Sequence, residues 1–279
     1  MYRKQADRLS HSPPMVSRGA LLMLLFMLQG CVGVIHEPRH GELILHYVRS
    51  NQDGTRPEHV VQFRPNRRDV AVYKWVNKCT TAAYVTARMD EQVRGSANYV
   101  AGKVDKDGSQ TAFGTLMLER ATSTLVARLA PSRQLEINDR HLLKARPFLL
   151  YDFDFADLNA FLQTHRPRTD FSYELPVIWP GERQLFRELG RLYAKAAGEE
   201  SHLGRRTFRF DLVVQGPTPS AGTLWIDAAD GFIVEATLGL PNHQEYRDFR
   251  LRLEKVHRGG QADWQALTSA HYADCPGAD

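Results

Sequence analysis

The chain has 279 residues, of which 43% are apolar and 24% charged, proportions that exclude a long disordered chain and a polytopic membrane protein. The formal charge of +4 gives no nucleic-acid footprint. Residues 1–30 carry Arg3, Lys4, Arg8 and Arg18 against Asp7, a net +3, which leaves +1 for residues 31–279.

At the N-terminus, Arg18 precedes an apolar run, Ala20–Leu28. Nine residues are too few to cross a bilayer, which takes about 20, but they match the apolar region of an export signal. Residues 1–14 are polar and include Pro13-Pro14, whereas Met15-Val16-Ser17-Arg18 would open a more typical signal. Met15 is therefore the expected translation start. Leu28-Gln29-Gly30-Cys31 resembles the lipobox of bacterial lipoproteins, although Gln29 stands where a small residue is usual. The resemblance implies a signal peptide over residues 1–30 and acylation of Cys31. It also implies a tether over 31–41 and a single β-rich periplasmic domain over 42–279. Acyl chains contribute about 0.8 kcal/mol per buried methylene, and two or more anchor stably. Val32, rather than Asp, after the cysteine implies the outer membrane, facing the periplasm. The alternative is an ordinary secretory signal with a chance cysteine.

Export would place Cys79 and Cys275 in an oxidising compartment, where an even pair usually bridges. Closing so long a loop contributes roughly 2–5 kcal/mol in the chain-entropy model. Two unconnected buried thiols are the alternative.

Strand patterns dominate the rest. Glu42–Ser50, Glu58–Phe63 and Asp69–Val76 alternate, with Pro65-Asn66 as a turn. Asn98–Val104 and Thr111–Glu119 flank the hairpin signal Asp105-Lys106-Asp107-Gly108, and Ser123–Leu129 continues the meander. Phe148–Phe155 and Phe208–Gln215 read as strands, and Thr223–Ala228 and Phe232–Leu238 as a hairpin around Ala229-Asp230-Gly231. Gln244–Lys255 alternates with one phase slip, consistent with a bulge. Asp157–Gln163 reads as a helix with Asp154 or Asp157 as N-cap. A second helix is predicted over Gly181–Ala197, where Leu185, Phe186, Leu189, Leu192 and Tyr193 follow helical spacing.

The pattern predicts an α+β, mainly β fold: a curved, half-barrel-like antiparallel sheet of about ten strands with a few helices on one face. The segment Gly222–Ala236, GTLWIDAADGFIVEA, resembles the strand–turn–strand element of LolA/LolB-like periplasmic half-barrel proteins. That resemblance implies an interior that holds acyl chains.

Asp152, Asp154 and Asp157 lie within Tyr151-Asp-Phe-Asp-Phe-Ala-Asp157. They have the chemistry of hard-cation ligands, but alternation predicts a strand with aromatic side chains inward and acids outward. Asp227–Gly231 echoes a calcium loop without its closing Glu and reads as a turn. His36 and His40 flank Pro38, which opposes a ligand-bearing helix, and His243, His257 and His271 read as scattered histidines that tertiary structure alone would gather. Arg64, Arg67 and Arg68 read as a solvated turn, and Trp75, Trp179, Trp225 and Trp264 as core or rim side chains. Pro241–Tyr246 reads as a turn, with Asn242, His243 and Tyr246 as a candidate ligand or partner loop.

No hydrolase or nucleotide-binding motif is present, and no cofactor or metal is expected. The function expected from the sequence is a membrane-anchored, non-enzymatic envelope lipoprotein that binds a lipid or other apolar ligand. The alternatives are an envelope assembly module that binds a protein partner, and a hydrolase built on His243 or the Asp152/Asp154 pair.

Overall fold

The structure, a computed structural model, describes residues 42–132, 135–179 and 184–276. Cys31, the signal region, His36 and His40 lie outside the described residues.

Fourteen strands run in chain order: β1 (Leu43–Ser50), β2 (Glu58–Phe63), β3 (Asp69–Trp75), β4 (Ala83–Met89), β5 (Ser96–Val104), β6 (Gln110–Glu119) and β7 (Thr124–Ser132) form the first half. The second half is β8 (Leu135–Leu142), β9 (Phe171–Ile178), β10 (Phe186–His202), β11 (Arg205–Gln215), β12 (Ser220–Asp227), β13 (Ile233–Leu238) and β14 (Phe249–Arg258). Helix α1 (Ala156–His165) precedes β9, and α2 (Gln261–Ser269) follows β14. All fourteen strands join one curved antiparallel sheet in the order β8 to β1 and then β14 to β9. The first and last strands of the two meanders thus meet at β1–β14, while β8 and β9 remain as edges. The fold is mainly β, as the alternation predicted, and the sheet does not close into a barrel.

Alternation on these strands loads two faces. The inner face packs Leu45, Tyr47, Val60, Val72, Leu192, Leu212 and Leu251 around α1 and the 3-10 turn Tyr151–Phe153. The outer face of β1–β3 packs Ile44, Val61, Phe63, Ala71 and Tyr73 under Trp264 of α2. The two helices therefore lie on opposite faces, not on one as expected. Cys79 and Cys275 form a disulfide, with Cα atoms 5.6 Å apart. Three of the tryptophans are half-buried and Trp264 is buried.

The predicted helix over 181–197 is a strand where it is described, and a bulge explains the misleading spacing. Between Glu188 and Arg191 the β9–β10 register shifts by one residue, because three steps along β10 oppose two along β9. Leu189 and Leu192, three apart, consequently both face the core. Gly190 makes this possible: its φ is +101°, and a side chain there would strike the carbonyl oxygen of Gln215. The strands β4, β8 and β9 and the helix α2 were not predicted. The phase slip before Phe249 marks the start of β14, whose bulge lies further on, where Glu254 stands unpaired opposite β1.

The hairpin turns match their signals. Asp227 Oδ1 accepts from the N–H groups of Ala229 and Asp230, so this segment is an Asx-type turn. Arg64 departs from the solvated-turn reading: it is 6% exposed and donates to Gln163, Thr164 and the carbonyl of Arg67.

Candidate functional site

The predicted strand over 148–155 is instead a buried segment lying inside the sheet. Its acids point inward rather than to solvent: Asp152 is 5% exposed, and Asp154 and Asp157 are fully buried. Every side of this segment meets the sheet or a loop, so alternation between core and solvent has no meaning there. Asp154 and Phe155 both adopt left-handed backbone, at φ +50° and +57°. For Phe this conformation is strained, and it is held by the surroundings. It turns the chain into α1, whose N-cap is Phe155 and not Asp154 or Asp157. Asp157 instead accepts from the backbone N–H groups of Leu150 and Leu158 at 2.7 and 2.9 Å.

Asp154 is the centre of a polar network. Its carboxylate accepts from Lys74 Nζ at 2.8 Å, Asn242 Nδ2 at 2.7 Å and Arg49 Nη1 at 3.3 Å. Its carbonyl accepts from Gln62 Nε2. Arg49 also donates to Glu58 Oε2 at 2.5 Å and to Asn242 Oδ1 at 3.2 Å, and its guanidinium lies 3.9 Å from the centre of the Tyr246 ring. His243 Nε2 lies 3.3 Å from Lys74 Nζ and 3.9 Å from Asp154. Because an ammonium only donates, His243 Nε2 is the acceptor and the imidazole carries its proton on Nδ1.

The structure thus gathers Asp152, Asp154, Asn242, His243 and Tyr246, the acids and the loop that the sequence singled out separately. Asn242 is fully buried rather than at an exposed turn. His257 and His271 do not join them: His257 stacks on His46, and His271 Nδ1 meets the Tyr73 hydroxyl under α2. Sequence reasoning missed Arg49, Lys74, Glu58 and Tyr99. A signal was available, because Arg49 follows Leu45 and Tyr47, and Lys74 follows Val70 and Val72, in the inward phase of their strands. A cation at an inward position must be paired.

Beside the network lies a cavity of about 240 Å³. Val85, Ala101, Leu129, Phe113 and Ile178 line much of it, and Lys74, His243, Asp152 and Tyr99 contribute polar groups. Phe113 is present because β6 bulges there: Ala101 faces Gly114 and Gly102 faces Ala112, which leaves Phe113 unpaired. Asp152 accepts from the N–H of Ile178 at 2.9 Å and from the Tyr99 hydroxyl at 3.4 Å.

Burial alone would raise the Asp154 carboxyl, but Lys74 and Arg49 outweigh it and hold the group below the usual carboxylate range. Burial pushes Asp152 up to about 6 and Asp157 up to about 7. Burial, reinforced by the charges of Lys74 and Arg49, drives His243 well below its ordinary value and keeps it neutral. Tyr99 is raised well above the usual phenol range, first by burial and then by Asp152, so it remains a neutral hydroxyl. These polar groups spend most of their bonds on one another, an arrangement suited to binding. Among the described residues no group of three or more His, Cys, Asp or Glu side chains is arranged to hold a metal.

No family model matches the chain, and no curated protein matches it. Among solved structures, a β-barrel-like protein of the domain of unknown function DUF1849 from Brucella abortus is similar at 9% identity. The match covers 79% of this chain and 98% of that one, with a TM-score of 0.42. Two crystal forms of PNGF-II match at 7% identity with TM-scores of 0.29 and 0.28. They cover 81% and 82% of this chain but only 30% and 29% of theirs.

Proposed function

We propose that this protein is a lipid-anchored envelope protein that binds an apolar ligand inside its curved sheet. The observation that carries the reading is the half-open cavity on the inner face of the sheet, apolar on several sides and edged by a buried, mutually bonded polar cluster. Small-molecule sites have this composition: apolar walls give affinity and a few fixed polar groups give orientation. The volume, near 240 Å³, suits a ligand with one modest chain better than a full membrane lipid. Acylation of Cys31 would hold the domain at a membrane surface, and the half-barrel resemblance of Gly222–Ala236 belongs to the same reading.

Native mass spectrometry on the full chain carrying Cys31→Ser, recovered from the periplasm without detergent, tests the binding. The expected result is a reproducible extra mass that extracts into organic solvent and disappears in Ala101→Trp, which fills the cavity. A bare protein mass, together with no uptake of added octyl-chain compounds, would refute the proposal. Palmitate labelling of the unsubstituted chain, lost in Cys31→Ser, tests the anchor.

A further inference from the structure

Resting on that cavity, we infer that the ligand is an uncharged amphiphile whose head bears a hydroxyl or ester oxygen, not a fatty acid or a phosphorylated lipid. The inference follows from how the charges at the cavity are already matched. Lys74 is paired with Asp154 at 2.8 Å. Arg49, behind it, is shared between Asp154 and Glu58. Arg128, on the far wall, is paired with Glu136 at 2.6 Å. His243 is neutral. Each cation at or behind the wall therefore has its carboxylate, and the acid left facing the cavity without a cation in contact is Asp152. An anionic head would enter beside Asp152, a like charge, where the cations at the wall already hold carboxylates of their own.

A neutral head finds complementary partners. Lys74 uses two of its three N–H groups, one on Asp154 and one on His243, and retains a third for a ligand oxygen. Asp152 and the Tyr99 oxygen can both accept from a ligand hydroxyl. An alcohol or a monoacylglycerol offers both functions at once. Phe113, 40% exposed at the bulge, and the aliphatic wall then face the chain.

The test is calorimetric titration of the full chain carrying Cys31→Ser at pH 8 with octan-1-ol, 1-octanoylglycerol, octanoate and octyl phosphate. The two neutral compounds are expected to bind about tenfold or more tighter than the two anions, the scale of one unpaired charge near a protein surface. In Asp152→Asn, octanoate is expected to gain affinity several-fold while octan-1-ol changes little. Octanoate or octyl phosphate binding as tightly as the neutral compounds in the unsubstituted cavity would overturn this inference and leave the apolar-ligand reading standing. If none of the four binds, both fall.

Discussion

The two faces of β1–β3 solve burial in opposite ways. Outward, Ile44, Val61, Phe63, Ala71 and Tyr73 meet Trp264, and the Phe63 and Trp264 rings stack 5.4 Å apart. Inward, the same strands present Arg49, Gln62 and Lys74 to the buried Asp154, with Glu58 as a second carboxylate partner of Arg49. The outer contact is apolar packing, which tolerates a change of partner of similar volume. The inner contact has little such tolerance, because removing one member leaves a buried charge unmatched. Proteins that need only stability can fill a face with apolar side chains. A buried ion network beside open space is the better marker of a site, and here it also fastens the inner segment to the sheet.

The largest expected effects break each face in turn. Asp154→Ala should destabilise the fold by about 3–5 kcal/mol, the cost of leaving buried cations without their acid. Trp264→Ala should cost a similar amount, about 3–5 kcal/mol, through lost packing. Urea denaturation separates the two mechanisms. Adding Arg49→Met and Lys74→Met should restore most of the stability lost in Asp154→Ala, and a triple variant no more stable than the single one would contradict the charge argument. Opening the disulfide with Cys79→Ser and Cys275→Ser should cost roughly 2–5 kcal/mol without altering ligand binding, since it ties the loop after β3 to the chain beyond α2.

The pH dependence should also belong to the inner face. Asp154 is lowered in the fold, so its contribution is present above about 4, the ordinary value, and lost as pH falls below it. Asp152 and Asp157 are raised, so theirs is full below about 4 and lost as pH rises through about 6 and about 7. Stability should therefore decline from mildly acidic toward neutral pH. Denaturation midpoints of Asp157→Asn should follow a flatter line over that range; an unchanged slope would show that Asp157 ionises as easily in the fold as out of it. The smallest effect is reserved for the exposed pair Arg128–Glu136, whose replacement by alanines should change stability by less than about 1 kcal/mol.

Many of the strands were legible because period-two alternation survives wherever one face is buried and the other is wet. It failed where that condition failed. The 148–155 segment is enclosed, so its aromatic and acidic residues carry no inside–outside signal. Along β10, the bulge at Leu189-Gly190 produces a three-residue spacing that is indistinguishable from a helical turn in the sequence. Asp152, Asp154, Asn242, His243 and Tyr246 stood out individually as chemistry-bearing residues, but Arg49 and Lys74 read as ordinary strand charges.

By itself, then, the sequence was enough to point to the mainly β class, the Asp-Gly hairpins and, once Cys31 is set aside as the expected acylation site, the Cys79–Cys275 pairing, because alternation, turn chemistry and a leftover pair of cysteines are local or countable properties. Only the tertiary structure decided that 148–155 lies inside the sheet, that the first and last strands pair, and that Arg49, Lys74, Asp154 and His243 meet. Those contacts join residues far apart in the chain, and a charge acquires a buried partner only when the fold brings one within a few ångströms.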